Sequence, residues 1–224
     1  LNAISQSIKE GEVYRFINKP WVNDELRATV TDAARIARRS RDLPDNGEAG
    51  IIGSASDAGV LVIDDDPAVR TEIENSIGVA FNVRFATTME ETLEVLETQE
   101  VGVIISETSV RSGDMTDLLL LVKRYNRDIV NLVMSEHSDP TLVIRLINQG
   151  QVHRFLPKPV ERESYWACVN AAMKRYQAVK RSLARHDSTL SERYRPQAPD
   201  REAEKSVPAA ITERLRLLRA GLGA

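Results

Sequence analysis

The chain has 224 residues, 28% of them charged and 42% hydrophobic, with a formal net charge of −3. That length holds one large domain or two modest ones with a buried core. The slightly acidic balance leaves no electrostatic footprint for nucleic acid or an anionic membrane, and no apolar run approaches the roughly 20 residues of a membrane span. A single cysteine, Cys168, has no partner for an internal disulfide and falls in a helical stretch, where packing explains it. These features, and the absence of a charged-then-apolar leader, point to a cytoplasmic protein.

In chain order, residues 1–41 hold a helical segment up to Gly11, a short strand at about Val13–Ile17, a Lys19-Pro20 pair and a second helix. The wording "GEVYRFINKP" at 11–20 returns as "GQVHRFLPKP" at 150–159, and the ungapped alignment also pairs Ile8 with Ile147, Val30 with Val169 and Ala33 with Ala172. A half-module is therefore present twice, and only the second copy has the rest of a module before it. The chain starts with Leu1 rather than Met, so a longer parent protein with a truncated first module is expected. A lone helix-strand-helix would leave its strand edges unpaired. Residues 42–58, "DLPDNGEAGIIGSASDA", read as a linker.

From Val60 a regular alternation begins. "VLVID" is a strand, and "PAVRTEIENSI" a helix with Val69, Ile73 and Ile77 on one face. "NVRFA" is a strand, and "TTMEETLEVLE" a helix capped by Thr87 or Thr88 with Met89, Leu93 and Leu96 inward. "VGVII", "IVNLVM" and "VHRFL" are further strands. The helices "DMTDLLLLVKRY" and "DPTLVIRLINQG" intervene, the latter opened by Asp139-Pro140, and a long helix runs on from about Glu161. Five strands alternating with five helices predict an α/β, doubly wound parallel sheet, whose functional crevice lies beyond the strands' C-terminal ends. Just there stand Asp64, Asp65 and Asp66, then Glu107, then Ser135 and Glu136, then Lys158 and Pro159.

Each signal alone has a plainer meaning. Three aspartates before Pro67 make a capped turn, Lys-Pro is a common loop pair, and Ser135 fits a helix cap. His137, His153 and His186 lack ligand spacing. Their order together, "VIDDDP", "VIISE", "VMSEHSD", "FLPKP", resembles the receiver domain of bacterial two-component response regulators over about residues 59–180. The first 41 residues resemble the last third of a second receiver.

The resemblance implies a flavodoxin-like strand order 2-1-3-4-5 and a site built for Mg²⁺-dependent phosphorylation of an aspartate. By position it gives Asp64 and Asp65, with Glu107, the metal-binding role. Ser135 becomes the phosphoryl-sensing hydroxyl, Lys158 its basic partner and Phe155 the switch aromatic, with Phe16 and Lys19 their counterparts in the partial first receiver. Glu107 falls where the phosphorylated aspartate belongs, Val110-Arg111 replaces the usual Met-Pro, and Glu136 replaces a small residue, adding bulk and like charge if it points inward.

One extra methylene shifts the acceptor oxygen by roughly 1.5 Å, and a misplacement of about 1 Å costs about a hundredfold in rate. The longer side chain can instead reach Lys158 and imitate the phosphorylated state. Asp64, Asp65 and Glu107 repel one another unless Lys158 or a cation compensates, so Mg²⁺ is expected to bind weakly at most.

The last helix places Val169, Ala172, Tyr176, Val179 and Leu183 at steps of three and four, a coiled-coil seam expected to be free past Tyr176 and to pair two chains as a homodimer. Residues 181–224 are read as a polar linker followed by "AAITERLRLLRAGL", an amphipathic helix too short to stand alone. It should dock on this chain, its twin or a downstream domain. The expected function is a regulatory module, a pseudo-receiver that is not itself an enzyme and acts by dimerisation or partner docking. The alternative is a phosphorylatable receiver taking phosphate from a histidine kinase and controlling an effector outside the chain, such as a cyclic-di-GMP phosphodiesterase or transcription activator.

Overall fold

Runs of branched apolar residues pair side by side in the computed structural model, which describes residues 16–17, 19–41, 58–111, 113–136, 139–148, 152–184 and 205–221. The strands are β1 (Gly59–Ile63), β2 (Val83–Ala86), β3 (Val101–Ser106), β4 (Ser109–Val110), β5 (Gly113–Asp114), β6 (Val130–Ser135) and β7 (Arg154–Pro157). Five of them form a parallel sheet in the order β2-β1-β3-β6-β7. Counting the sheet strands alone, this is the 2-1-3-4-5 order. Every residue of β1, β3 and β6 is buried, because helices cover both faces, and that is why these strands read as continuous apolar runs rather than alternations. The two-residue strands β4 and β5 form a separate antiparallel hairpin, which the sequence reading did not include.

The helices are α1 (Asn23–Arg41), α2 (Pro67–Ile77), α3 (Met89–Thr98), α4 (Thr116–Tyr125), α5 (Pro140–Asn148), α6 (Arg162–Ala184) and α7 (Ala209–Gly221). One face of the sheet, with Val60, Val62, Val103 and Ile105, packs on Ile73 and Ile77 of α2 and on Val169, Ala172 and Tyr176 of α6. The other, with Leu61, Ile63, Ile104 and Val133, meets Leu93 of α3, Leu118 and Leu121 of α4, and Val143 and Ile147 of α5. Helix starts follow their caps. Asp66 Oδ1 accepts from Ala68 N at 2.8 Å ahead of Pro67, and Asp139 Oδ1 accepts from Thr141 N at 2.9 Å ahead of α5. Thr88 Oγ1 accepts from Glu91 N, while the Glu91 carboxylate reaches back to the amide of Thr87.

Helix α4 buries Leu118, Leu119, Leu120 and Leu121 together, more than one helical face can offer a sheet. Helix α7 takes the other side. Val207, Ile211 and Leu215 are buried in the same core, and Arg214 grips Glu97 of α3 through two bonds of 2.7 and 2.6 Å. Of the three docking partners expected for this helix, its own chain is the one observed. Leu215→Ala is expected to raise hydrogen exchange across 209–221 while leaving β1, β3 and β6 protected, because a short peripheral helix detaches before the core does. Equal exchange in both proteins would show that Leu215 does not hold the helix down.

The seam on α6 is corrected. Tyr176 and Val179 are each 4% exposed in the single chain, so the stretch expected to be free past Tyr176 is used internally at least to Val179. A Cβ on Gly102 would come within 2.9 Å of the Tyr176 ring, so the glycine in β3 is what lets the ring lie on the sheet. Tyr176 donates to Glu100 Oε1 at 2.5 Å, and burial together with that carboxylate pushes its phenol upward. The side chain of Leu183, the linker residues 42–57 and the tail residues 185–204 lie outside the described residues.

In the first copy, Val13–Arg15 of the expected strand also lie outside the described residues, and Phe16–Ile17 carry no strand. Val30 of α1 is 58% exposed, whereas its repeat partner Val169 is fully buried. Lys19 is exposed and lies over the Trp21 ring. The Lys19-Pro20 and Lys158-Pro159 bonds are both cis.

Candidate functional site

The three aspartates after β1 have three different surroundings. Asp64 is buried, its Oδ1 accepting from Asp66 N at 2.9 Å and its Oδ2 from Lys158 Nζ at 2.7 Å. Asp66 is spent as the cap of α2. Asp65 turns to the hairpin, where its Oδ2 accepts from Arg111 N at 2.9 Å and lies 3.3 Å from Arg111 Nε.

Glu107 leaves β3 with its amide still donating to Ile63 O at 2.9 Å, which holds its backbone against β1. Its side chain is spent at both oxygens. Oε2 lies 2.7 Å from Lys158 Nζ, and Oε1 accepts from the amide and hydroxyl of Thr108 at 2.9 and 3.0 Å. The Thr108 hydroxyl lies 3.2 Å from Ser135 Oγ at the end of β6. Lys158 N donates to Ser135 O at 3.1 Å, so the loop after β7 is tied to β6. One chain of contacts thus runs Ser135, Thr108, Glu107, Lys158, Asp64.

Burial by itself pulls the Lys158 ammonium down. The hydrogen bonds and charges of Asp64 and Glu107 outweigh it and hold this lysine above the ordinary value. The structure therefore brings Asp64, Glu107, Ser135 and Lys158 together and leaves Asp65 apart. Phe155 is buried in β7 opposite Val133.

The acidic residues do not fit a metal ion as they stand. Asp64 Oδ2 and Glu107 Oε2 are both taken up by Lys158 Nζ, their other oxygens accept from backbone amides, and Asp65 Oδ2 faces Arg111. Among the described residues no group of three or more His, Cys, Asp and Glu is arranged to hold a metal. Positive charge reaches the carboxylates from Lys158 and Arg111 instead. Glu136 is exposed, so the inward bulk and charge considered for it are not there.

Two participants were missed from sequence. Thr108 had a faint signal, a hydroxyl directly after the acceptor position. Arg111 was noticed only within the Val110-Arg111 departure, and its contact with Asp65 had no signal, because it acts from a hairpin too short for any periodicity.

Comparison with known proteins bears on the family and the fold of this segment. Residues 60–170 match the family model "Response regulator receiver domain". Over 122 residues the chain is 25% identical to the DNA-binding transcriptional regulator NtrC of Proteus hauseri, a stretch that covers 54% of this chain and 26% of that protein. The chain therefore spans about a quarter of that relative's length.

Among solved structures, an adenylate cyclase from Rhodopirellula baltica superposes with a TM-score of 0.55 at 23% identity, covering 58% of this chain and 98% of that one. The signal receiver domain of an HD domain-containing protein from Pseudomonas fluorescens Pf-5 gives 0.53 at 18%, covering 57% and 96%. A CheY-like receiver domain protein from Methanospirillum hungatei JF-1 gives 0.51 at 15%, covering 55% and 98%. These structural likenesses bear on the fold alone. With the sheet order, the residues at the strand ends and the family match in agreement, residues 60–170 are a response regulator receiver domain.

Proposed function

We propose that this receiver works in two-component signalling as a pseudo-receiver, held in one state by an internal Glu107–Lys158 ion pair rather than switched by phosphorylation. The observation that carries the reading is the 2.7 Å contact between Glu107 Oε2 and Lys158 Nζ. Acyl phosphate formation needs a carboxylate oxygen in line with the donor phosphorus, with the lysine free to hold the phosphoryl oxygens. Here the lysine is already held by two carboxylates, and the second Glu107 oxygen is held by Thr108. The extra methylene lets the natural side chain make an anionic contact with Lys158 and, through Thr108, with Ser135, the two groups the resemblance assigns to the phosphoryl.

Such a module acts by docking on a partner or effector, and it needs no catalysis of its own. A homodimer, if it forms, uses a surface other than the buried Tyr176–Val179 part of α6. Residues 1–41 are read as the end of a second receiver. The repeat supports this, as does the exposure of Val30 where Val169 is buried.

The second reading, a phosphorylatable receiver that takes phosphate from a histidine kinase and controls an output, is favoured by the retention of Asp64, Ser135 and Lys158. One experiment separates the two. The protein and its Glu107→Asp variant are incubated with Mg²⁺ and acetyl phosphate, and intact masses are recorded. Only the variant is expected to gain a phosphoryl mass. A labile phosphoryl on the natural protein at Glu107 would overturn the pseudo-receiver reading and favour phosphotransfer.

A further inference from the structure

Among the described residues, the half-repeat meets the receiver at the end of α5. Asn148, the last residue of α5, presents its side-chain amide to the main chain of Phe16, with Oδ1 accepting from Phe16 N at 2.7 Å and Nδ2 donating to Phe16 O at 2.9 Å. A primary amide carries a donor and an acceptor side by side, and here it offers the main chain of one residue what a neighbouring strand would offer. Recognition of this kind reads backbone, and an adjacent apolar seat reads the side chain. That seat is present: the Phe16 ring packs against the core cluster that contains Val143, Leu146, Ile147 and Phe155.

The occupant is itself informative. Arg15, Phe16 and Ile17 are the repeat counterparts of Arg154, Phe155 and Leu156, which form β7, an edge strand of the sheet. The segment seated at Asn148 thus has almost the same wording as the receiver's own edge strand. In the second copy the same phenylalanine is fixed in the sheet opposite Val133; in the first copy its backbone is met by a side chain from the other module.

We propose that the C-terminal end of α5 is a docking site for a phenylalanine-bearing segment, that Asn148 is its backbone-reading residue, and that the Phe16–Ile17 segment is its tethered occupant. The site ties the half-repeat to the receiver at the end of α5, so a change in either can be felt by the other. Neither Glu107 nor Lys158 takes part, and the inference stands apart from the state of the phosphorylation site.

The test is backbone hydrogen exchange, resolved at Phe16 and Ile17, in the full chain and in Asn148→Ala. The Phe16 amide is expected to exchange about fivefold to tenfold faster in the variant, the effect of losing roughly one hydrogen bond, with β6 and β7 unchanged. If Asn148→Ala also loosens β6 and β7, Phe16→Ala provides the second measurement. Loss of the ring should move the Asn148 side-chain amide resonances towards solvent-exposed positions while the receiver stays folded. Unchanged Phe16 exchange in a folded Asn148→Ala, or unmoved Asn148 resonances in Phe16→Ala, would overturn the proposal.

Discussion

Lys158→Met is expected to destabilise the receiver by about 3 kcal/mol, near the lower end of what breaking a buried ion pair costs. Methionine keeps most of the packing of the lysine stem and removes only the charge. Asp64 and Glu107 have side chains only 3% and 13% exposed, and without the ammonium they face each other with little solvent to screen them. The pH dependence gives the argument a second handle. Lys158 is held above the ordinary lysine value in the folded protein, so its contribution is complete below about 10.5, the unfolded value, and disappears as the pH rises through the higher folded value. The stability gap between natural protein and variant should therefore be full at about pH 8 and shrink at about pH 11. Urea unfolding at the two values measures it, and a gap that is absent at neutral pH or grows in alkali would show that Lys158 does not bridge the carboxylates.

How far the molecule could be read in advance depended on where each signal is generated. Strands β1, β3 and β6 were legible because burial on both faces leaves an unbroken apolar run, and their C-terminal ends placed Asp64, Glu107 and Ser135 before any coordinates. Lys158 followed from Lys-Pro after "VHRFL". Partnerships that depend on three-dimensional direction were not legible. Arg111 reaches Asp65 from a hairpin of two-residue strands, Glu136 could face either way, and Val179 continues a heptad-like spacing yet is buried within its own chain. The amphipathic face of α7 announced that it would dock without giving an address. The address was nonetheless half written in the four consecutive leucines of α4, which are too many for one packed face. Asn148 is the hardest case, since nothing in its neighbourhood marks an amide that reads the backbone of a distant segment.

Lys123→Met is expected to reverse its effect with pH. Lys123 is 4% exposed, at the C-terminal end of α4, and its Nζ donates to Arg127 O at 2.6 Å and Ile129 O at 2.5 Å. Burial, helped by Arg175 and Arg127 and opposed by Asp128, pulls its ammonium down to about 7 from 10.5. Between those two values the unfolded chain binds a proton that the folded chain does not, so this group makes stability rise with pH across the window and imposes its full cost below about 7. The span corresponds to roughly 5 kcal/mol. Methionine removes the titration and leaves two carbonyls without this donor, a loss of about 1 to 3 kcal/mol at any pH. The variant should accordingly be the more stable protein at about pH 6 and the less stable one at about pH 10.5, with the two urea midpoints crossing between. Parallel midpoints for the two proteins would mean that Lys123 keeps its proton in the folded state, with the two carbonyls and Asp128 compensating for its burial.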